Sequence, residues 1–276
     1  MLGKLFKYEF KNTSKIMLTI YIVLIAVTAL GMGIMSVGSF RESSNPVVGV
    51  LTGLYLLVYV FSIFALLVVT FVYLSIHFYK TMYSAQGYLT HTLPVKPISS
   101  LHVKLIASLV WMLLSILLLF LSVLGLINAA SGFEFWQELK ALDLSEYNSM
   151  IMYNFGVSMG ELLAVAIVGV ISSCLIFLLM IYLSCSIGQL FNQHKVAASI
   201  IAGIVLYFIQ QVVPSVIAMI QMVSSNIFSA NASEIDTSFA NFYRVSLWTG
   251  LIINLVFIAI YYIACRIILK KHINLE

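Results

Sequence analysis

The sequence predicts an all-α integral membrane protein with six transmembrane helices and both termini in the cytoplasm. Three observations lead there. The 276 residues are 62% hydrophobic and only 9% charged, whereas soluble domains carry about a quarter charged residues. So few charges cannot cover a water-facing surface, and the mean hydropathy of +1.08 agrees. Six apolar stretches each reach the roughly 20 residues that a helix needs to cross a hydrocarbon core about 30 Å thick. The basic residues collect on alternate connectors between those stretches.

The six stretches are Ile16–Val37, Val47–Ile76, Leu105–Ala130, Leu162–Ile187, Val196–Val223 and Leu247–Leu269. Several exceed the minimum, which implies tilt or extension beyond the bilayer. Their apolar residues run continuously and do not alternate, which excludes barrel strands. The first stretch is longer than a signal-peptide core of about 7–15 residues, and no small-residue cleavage pattern follows it. It reads as a retained helix, and the whole chain as one six-helix domain.

Orientation follows from the connectors. Segments 1–15, 77–104, 188–195 and 266–276 hold Lys4, Lys7, Lys11, Lys15, Lys80, Lys96, Lys104, Lys195, Arg266, Lys270 and Lys271. The opposite segments, 38–46, 131–161 and 224–246, hold only Arg41, Lys140 and Arg244. Eleven against three places the first set in the cytoplasm by the positive-inside rule. The net charge of +4 does not point to nucleic acid, because the cations are spread over short connectors and form no extended basic surface. Cys174, Cys185 and Cys265 lie inside apolar runs with neither metal-ligand nor disulfide spacing, and read as small packed hydrophobes.

Residues 1–15 read as an amphipathic helix along the inner leaflet. At about 100° per residue, Lys4, Lys7, Lys11 and Lys15 share one face, with Leu2, Leu5, Phe6 and Phe10 opposite. A flexible basic tail is the alternative. Glu9 falls on the apolar face, where a charge needs a partner, and a contact with a cytoplasmic loop would supply one. An exposed Glu on a frayed turn is the other reading.

The segment 77–104 is too polar for the membrane and too rich in Tyr and Leu for a disordered linker. Pro94 and Pro97 end a short helix near Gln86–Leu93, and Ser99 or Ser100 can cap the next one. A short helix held below the membrane by two long spans suits docking to a soluble partner; a loop packed on the inner leaflet is the alternative. The very short 188–195 connector makes spans four and five tight neighbours, and its Gln189, Asn192, Gln193, His194 and Lys195 form a possible second docking point. Within the spans, Gln210, Gln211 and Asn254 mark either interhelical hydrogen bonds or a substrate path or subunit interface. Pro214 is expected to kink span five.

Absences narrow the function. The sequence has no G-x-x-x-x-G-K-[ST] phosphate loop, H-E-x-x-H, potassium-filter motif or Arg-rich voltage-sensor period. No ionisable residue stands clearly at depth, as a proton relay requires.

Three segments carry a resemblance. Leu5-Phe6-Lys7-Tyr8-Glu9-Phe10-Lys11 precedes the first span. Gly87-Tyr88-Leu89-Thr90-His91-Thr92-Leu93-Pro94-Val95 precedes Lys104 at the start of the third. Gly188-Gln189-Leu190-Phe191 through Lys195 joins the fourth and fifth. In this layout the chain resembles the permease subunits of type-2 ABC exporters, the ABCG-like class. Members of that class often carry an acidic residue just before the loop glycine, where this chain has Ser84-Ala85-Gln86.

The resemblance implies an amphipathic elbow helix containing Lys4, Lys7, Glu9 and Lys11. It implies an ATPase-docking coupling loop containing Gln86, Gly87, Tyr88, Leu89, Thr90, His91, Leu93 and Pro94. The chain itself would be no enzyme and would bind no cofactor; ATP and Mg would sit on a separate ATP-binding subunit. A second permease copy or homologue would complete a dimer in the cell membrane, in the bacterial plasma membrane by the same resemblance. A stand-alone secondary transporter or channel, and a non-transporting membrane scaffold, are the rival classes.

Overall fold

The structure, a computed structural model, describes residues 2–36, 46–84, 87, 97–191, 193–225 and 235–271. The described residues are overwhelmingly helical and contain no strand. The helices are α1 (Leu2–Ser36), α2 (Pro46–Tyr83), α3 (Pro97–Ala130), α4 (Phe135–Ala141), α5 (Leu144–Phe155), α6 (Met159–Gly188), α7 (Lys195–Ser224) and α8 (Ile235–Lys271). Six of them, α1, α2, α3, α6, α7 and α8, are long and apolar enough to cross a membrane. The chain is therefore all-α with the architecture of a multi-pass membrane protein.

Each long helix covers one of the expected apolar stretches, with Val37 of the first outside the described residues, and runs past it at one end or both. Helix α1 is the clearest case: residues 2–15 and the first apolar stretch form one helix of 35 residues. Nothing interrupts it, because no Gly or Pro lies between Leu5 and Ile16 and the hydroxyls of Thr13 and Ser14 bond back to the carbonyls of Glu9 and Lys11. The N-terminal amphipathic segment is continuous with the span helix. Helix α3 begins at Pro97, whose fixed φ and missing N–H suit a first helical turn. Ser99 and Ser100 thus lie inside the helix and do not cap it.

The chain falls into two compact units, residues 1–77 with 102–142, and residues 78–101 with 143–276. In the first unit α1 packs against α2 and α3. The Tyr21 hydroxyl donates to the Trp111 carbonyl and pairs with Ser115 at 2.8 Å. The Ser122 hydroxyl meets both Thr28 at 2.7 Å and Tyr59 at 2.8 Å, so one side chain joins three helices. Such interhelical bonds replace the hydrophobic drive that lipid cannot supply. Gly31 lies where a Cβ would fall on the Tyr55 ring, and that closeness lets Tyr55 donate to the Val27 carbonyl at 3.1 Å.

In the second unit α6 is the central helix, buried along Ile176–Ser186 and packed by α7 and α8. The chain enters α6 through an N-cap: the Ser158 hydroxyl accepts from the Glu161 N–H at 3.2 Å. Glu161 then accepts from the Trp248 indole N–H on α8 at 2.9 Å. Helix α7 has one buried residue, Ser199, and most of its other residues are exposed. Pro214 lies within it and the helix continues on both sides. All three cysteines are buried and unbridged, as packed hydrophobes should be.

Candidate functional site

The residues flanking the 77–104 segment are held by two sets of side chains, one in each unit. In the first unit the apolar face of α1 is fixed on α3. Phe10 stacks on Trp111, with ring centroids 4.5 Å apart and 10° between the planes. The Trp111 indole N–H donates to the Thr13 hydroxyl at 2.8 Å. This seating turns Glu9, on the same face, toward the neighbouring helices.

There Glu9 Oε1 accepts from Lys104 Nζ at 2.9 Å and from His77 Nε2 at 2.6 Å. An ionised carboxylate only accepts, so Nε2 of His77 carries the proton in this contact. The side chains of Glu9, His77 and Lys104 are 15%, 11% and 6% exposed. Withdrawing a lone charge from water costs several kcal/mol, and the paired arrangement offsets that cost. The Tyr73 ring lies beside His77, 5.9 Å between centroids. Glu9 thus finds the partner its place on an apolar face requires, and finds it twice. His77 and Lys104 are the two ends of the 77–104 segment, so a single oxygen joins them.

In the second unit the end of α2 packs on α6. Phe78 stacks on Tyr182 with centroids 3.6 Å apart and 8° between planes, and Tyr83 meets Phe78 edge-on. The Tyr83 hydroxyl pairs with Ser186 Oγ at 2.6 Å, and Ser186 also donates to the Tyr182 carbonyl at 2.7 Å. Beyond Tyr83 the Gly87 N–H donates to the Ser84 carbonyl at 2.6 Å. A Cβ at Gly87 would stand 2.5 Å from the Met82 carbonyl oxygen, so glycine alone fits. Ser100 Oγ reaches Met82 Sδ at 3.7 Å, and Leu101 is fully buried. Of the coupling-loop residues only Gly87 is described. Gln86, Tyr88, Leu89, Thr90, His91, Leu93 and Pro94, with the short helix expected near 86–93, lie outside the described residues.

The turn between α6 and α7 is set by Gly188. A Cβ there would overlap the Ser199 hydroxyl and stand 2.7 Å from the Lys195 carbonyl oxygen. Sequence reading placed Gln189 at a possible docking point here, and the structure corrects that. Gln189 is 2% exposed and points inward, and neither end of its carboxamide has a hydrogen-bond partner among the described residues. The outward residues of the turn are Leu190, Phe191, Gln193 and His194, the last with φ +57°. Asn192 lies outside the described residues.

Lys4, Lys7 and Lys11 are exposed on α1. Gln210 and Asn254 are half-buried on α7 and α8, and Gln211 is exposed. No hydrogen bond joins these three, and Gln210 Oε1 has no partner among the described residues. The polar contacts between α7 and α8 involve other residues: the Gln221 carboxamide donates to Thr249 at 2.9 Å and accepts from Ser246 at 3.2 Å, and the Tyr261 hydroxyl donates to the Leu206 carbonyl at 3.3 Å. Sequence reading missed these, and it missed the Tyr21–Ser115 and Thr28–Ser122 pairs. The signal for the latter was present: Tyr21 and Thr28 are seven residues apart, as are Ser115 and Ser122, the repeat of a helix–helix seam. Among the described residues no group of His, Cys, Asp or Glu is placed to hold a metal ion.

Comparison with protein-family models, with curated proteins and with solved structures gives no match.

Proposed function

We propose that this chain is the membrane-spanning permease subunit of an ATP-driven exporter of the type-2 ABC class. In this reading the segment 77–104 lies in the cytoplasm and docks a separate ATP-binding subunit, which carries ATP and Mg. The N-terminal turns of α1, continuous with the first span, stand where the family carries its elbow helix. Two copies, or this chain and a homologue, form the substrate path in the cell membrane. ATP-driven closure of the docked subunits acts on the coupling segment and shifts the helices between states that differ in their contacts.

The observation that carries the reading is the double hold on the flanks of the 77–104 segment. His77 and Lys104 share one carboxylate oxygen, and Phe78 and Tyr83 are buried against α6. A segment that only linked two helices would need neither. A segment that receives a push must be held at both flanks, or the push is lost in local motion.

Co-purification of the chain with a separate ATP-binding subunit from its own cells tests the reading. The variant Leu89→Arg, or deletion of residues 86–93, should insert normally and lose the ATPase. An ATPase retained at full stoichiometry by both variants removes the docking assignment.

A further inference from the structure

We infer that the basic row of α1 is a binding surface for anionic phospholipid headgroups, with Lys11 and Lys15 as its principal contacts. The inference is separate from the ATPase reading and rests on the apolar stretch from Ile16 onward being a membrane span.

Lys4, Lys7, Tyr8, Lys11 and Lys15 lie within an arc of about 100° on the helix. All five are exposed, Tyr8 at 72%. None of the four lysines has an ion-pair partner among the described residues, in contrast with Lys104. Glu9 is the only acid in α1, and it faces the other way with Oε1 already engaged by His77 and Lys104. The row therefore has no counter-charge on its own helix. Nor can it roll over to find one, because the Phe10–Trp111 stack and the Trp111–Thr13 bond fix the helix about its axis.

The unbroken helix then sets depth. At a rise of 1.5 Å per residue, Lys15 and Lys11 stand about 1.5 and 7.5 Å along the axis from Ile16, and Lys7 and Lys4 about 13.5 and 18 Å. The headgroup layer on each side of the hydrocarbon is roughly 5–7 Å thick. Lys15 and Lys11 lie at phosphate level, and their flexible stems can adjust to it. Lys7 and Lys4 project past it, where salt screens them within about 8–10 Å of the surface. A lysine near an anionic surface changes association about fivefold.

The test uses the full chain reconstituted in phosphatidylcholine bilayers with a trace of spin-labelled phosphatidylglycerol or spin-labelled phosphatidylcholine. Electron paramagnetic resonance reads the fraction of each held at the protein. The expected result is a preference for phosphatidylglycerol of about fivefold or more, shrinking as salt rises. Lys11→Gln with Lys15→Gln should bring the ratio close to one, and Lys4→Gln with Lys7→Gln should leave most of it. Equal association of the two lipids with the unaltered chain, or equal losses from the two pairs of substitutions, overturns the inference. So does displacement by inorganic phosphate beyond that by chloride at matched ionic strength, which would indicate a site for the free anion. Because all four lysines are exposed, the variants keep their fold, and unchanged melting temperatures check this.

Discussion

The ammonium of Lys104 stands 2.9 Å from Oε1 of Glu9, with both side chains largely withdrawn from solvent. Neither charge is tolerable there alone. Glu9→Gln should lower stability by about 3 kcal/mol, because it leaves the Lys104 cation buried without an anion. Glu9→Gln combined with Lys104→Met should recover most of that loss. Thermal unfolding in detergent measures both, and a double variant as unstable as the single one would show that the pair is not the source.

The aromatic seat on α6 separates packing from hydrogen bonding. Phe78→Ala removes a ring stacked at 3.6 Å on Tyr182 and should cost about 3–5 kcal/mol. Tyr83→Phe removes one hydroxyl, while Ser186 keeps its bond to the Tyr182 carbonyl, so the loss should be near 1 kcal/mol. If docking occurs as proposed, Phe78→Ala should also weaken ATPase co-purification more than Tyr83→Phe does.

Two glycines at helix contacts should respond differently to alanine. At Gly31 the new methyl meets the Tyr55 ring, which can swing aside for the loss of its bond to the Val27 carbonyl, about 1 kcal/mol. At Gly188 it meets the Lys195 backbone as well as the Ser199 hydroxyl, and backbone cannot swing. Gly188→Ala should therefore destabilise by more than Gly31→Ala, and Ser199→Gly should rescue it only in part. Melting temperatures of the three variants decide the order.

Helix α5 should loosen in acid. Asp143 Oδ1 accepts from the Ser145 hydroxyl at 2.7 Å and the Ser145 N–H at 2.9 Å. These bonds, the side-chain one first, hold its carboxyl below the usual range. The ionised cap therefore favours the folded helix above the ordinary Asp value of about 3.9. That contribution disappears as the pH falls through the lowered value. Amide exchange across residues 144–155, corrected for intrinsic rates, should rise over that window. In Asp143→Asn, which caps without titrating, it should not.

Hydropathy made the six long helices legible because the membrane demands about 20 apolar residues wherever a helix crosses. It could not find their ends. Backbone hydrogen bonding continues beyond the hydrocarbon, so α1 starts at Leu2 and α8 at Ile235, well before the apolar stretches that reveal them. Helices α4 and α5 escaped because they fall between those stretches. Their local signals are plain in retrospect: Asp143-Leu144-Ser145-Glu146 opens α5, and Gly156, at φ +67°, closes it.

At the candidate site Glu9 was legible as a charge needing a partner, because helical period puts it among Leu2, Phe6 and Phe10. That His77 and Lys104 would both answer was not. Their meeting depends on the relative rotation of three helices, which no single helix encodes. Gln189 misled for the complementary reason: polarity in a short connector suggests exposure, but the close approach permitted by Gly188 buries it.

The shared carboxylate also has a consequence for biosynthesis. His77 and Lys104 follow Glu9 by 68 and 95 residues. At about 5–20 residues per second, roughly 5–20 s pass between the synthesis of Glu9 and that of Lys104. Until His77 is made the Glu9 carboxylate has neither of its partners, and His77 can answer it first. Its contacts with the later helices are complete only when the third is made. The order of translation thus makes this contact a late checkpoint, at which a chain misassembled in its first hundred residues would still display the fault.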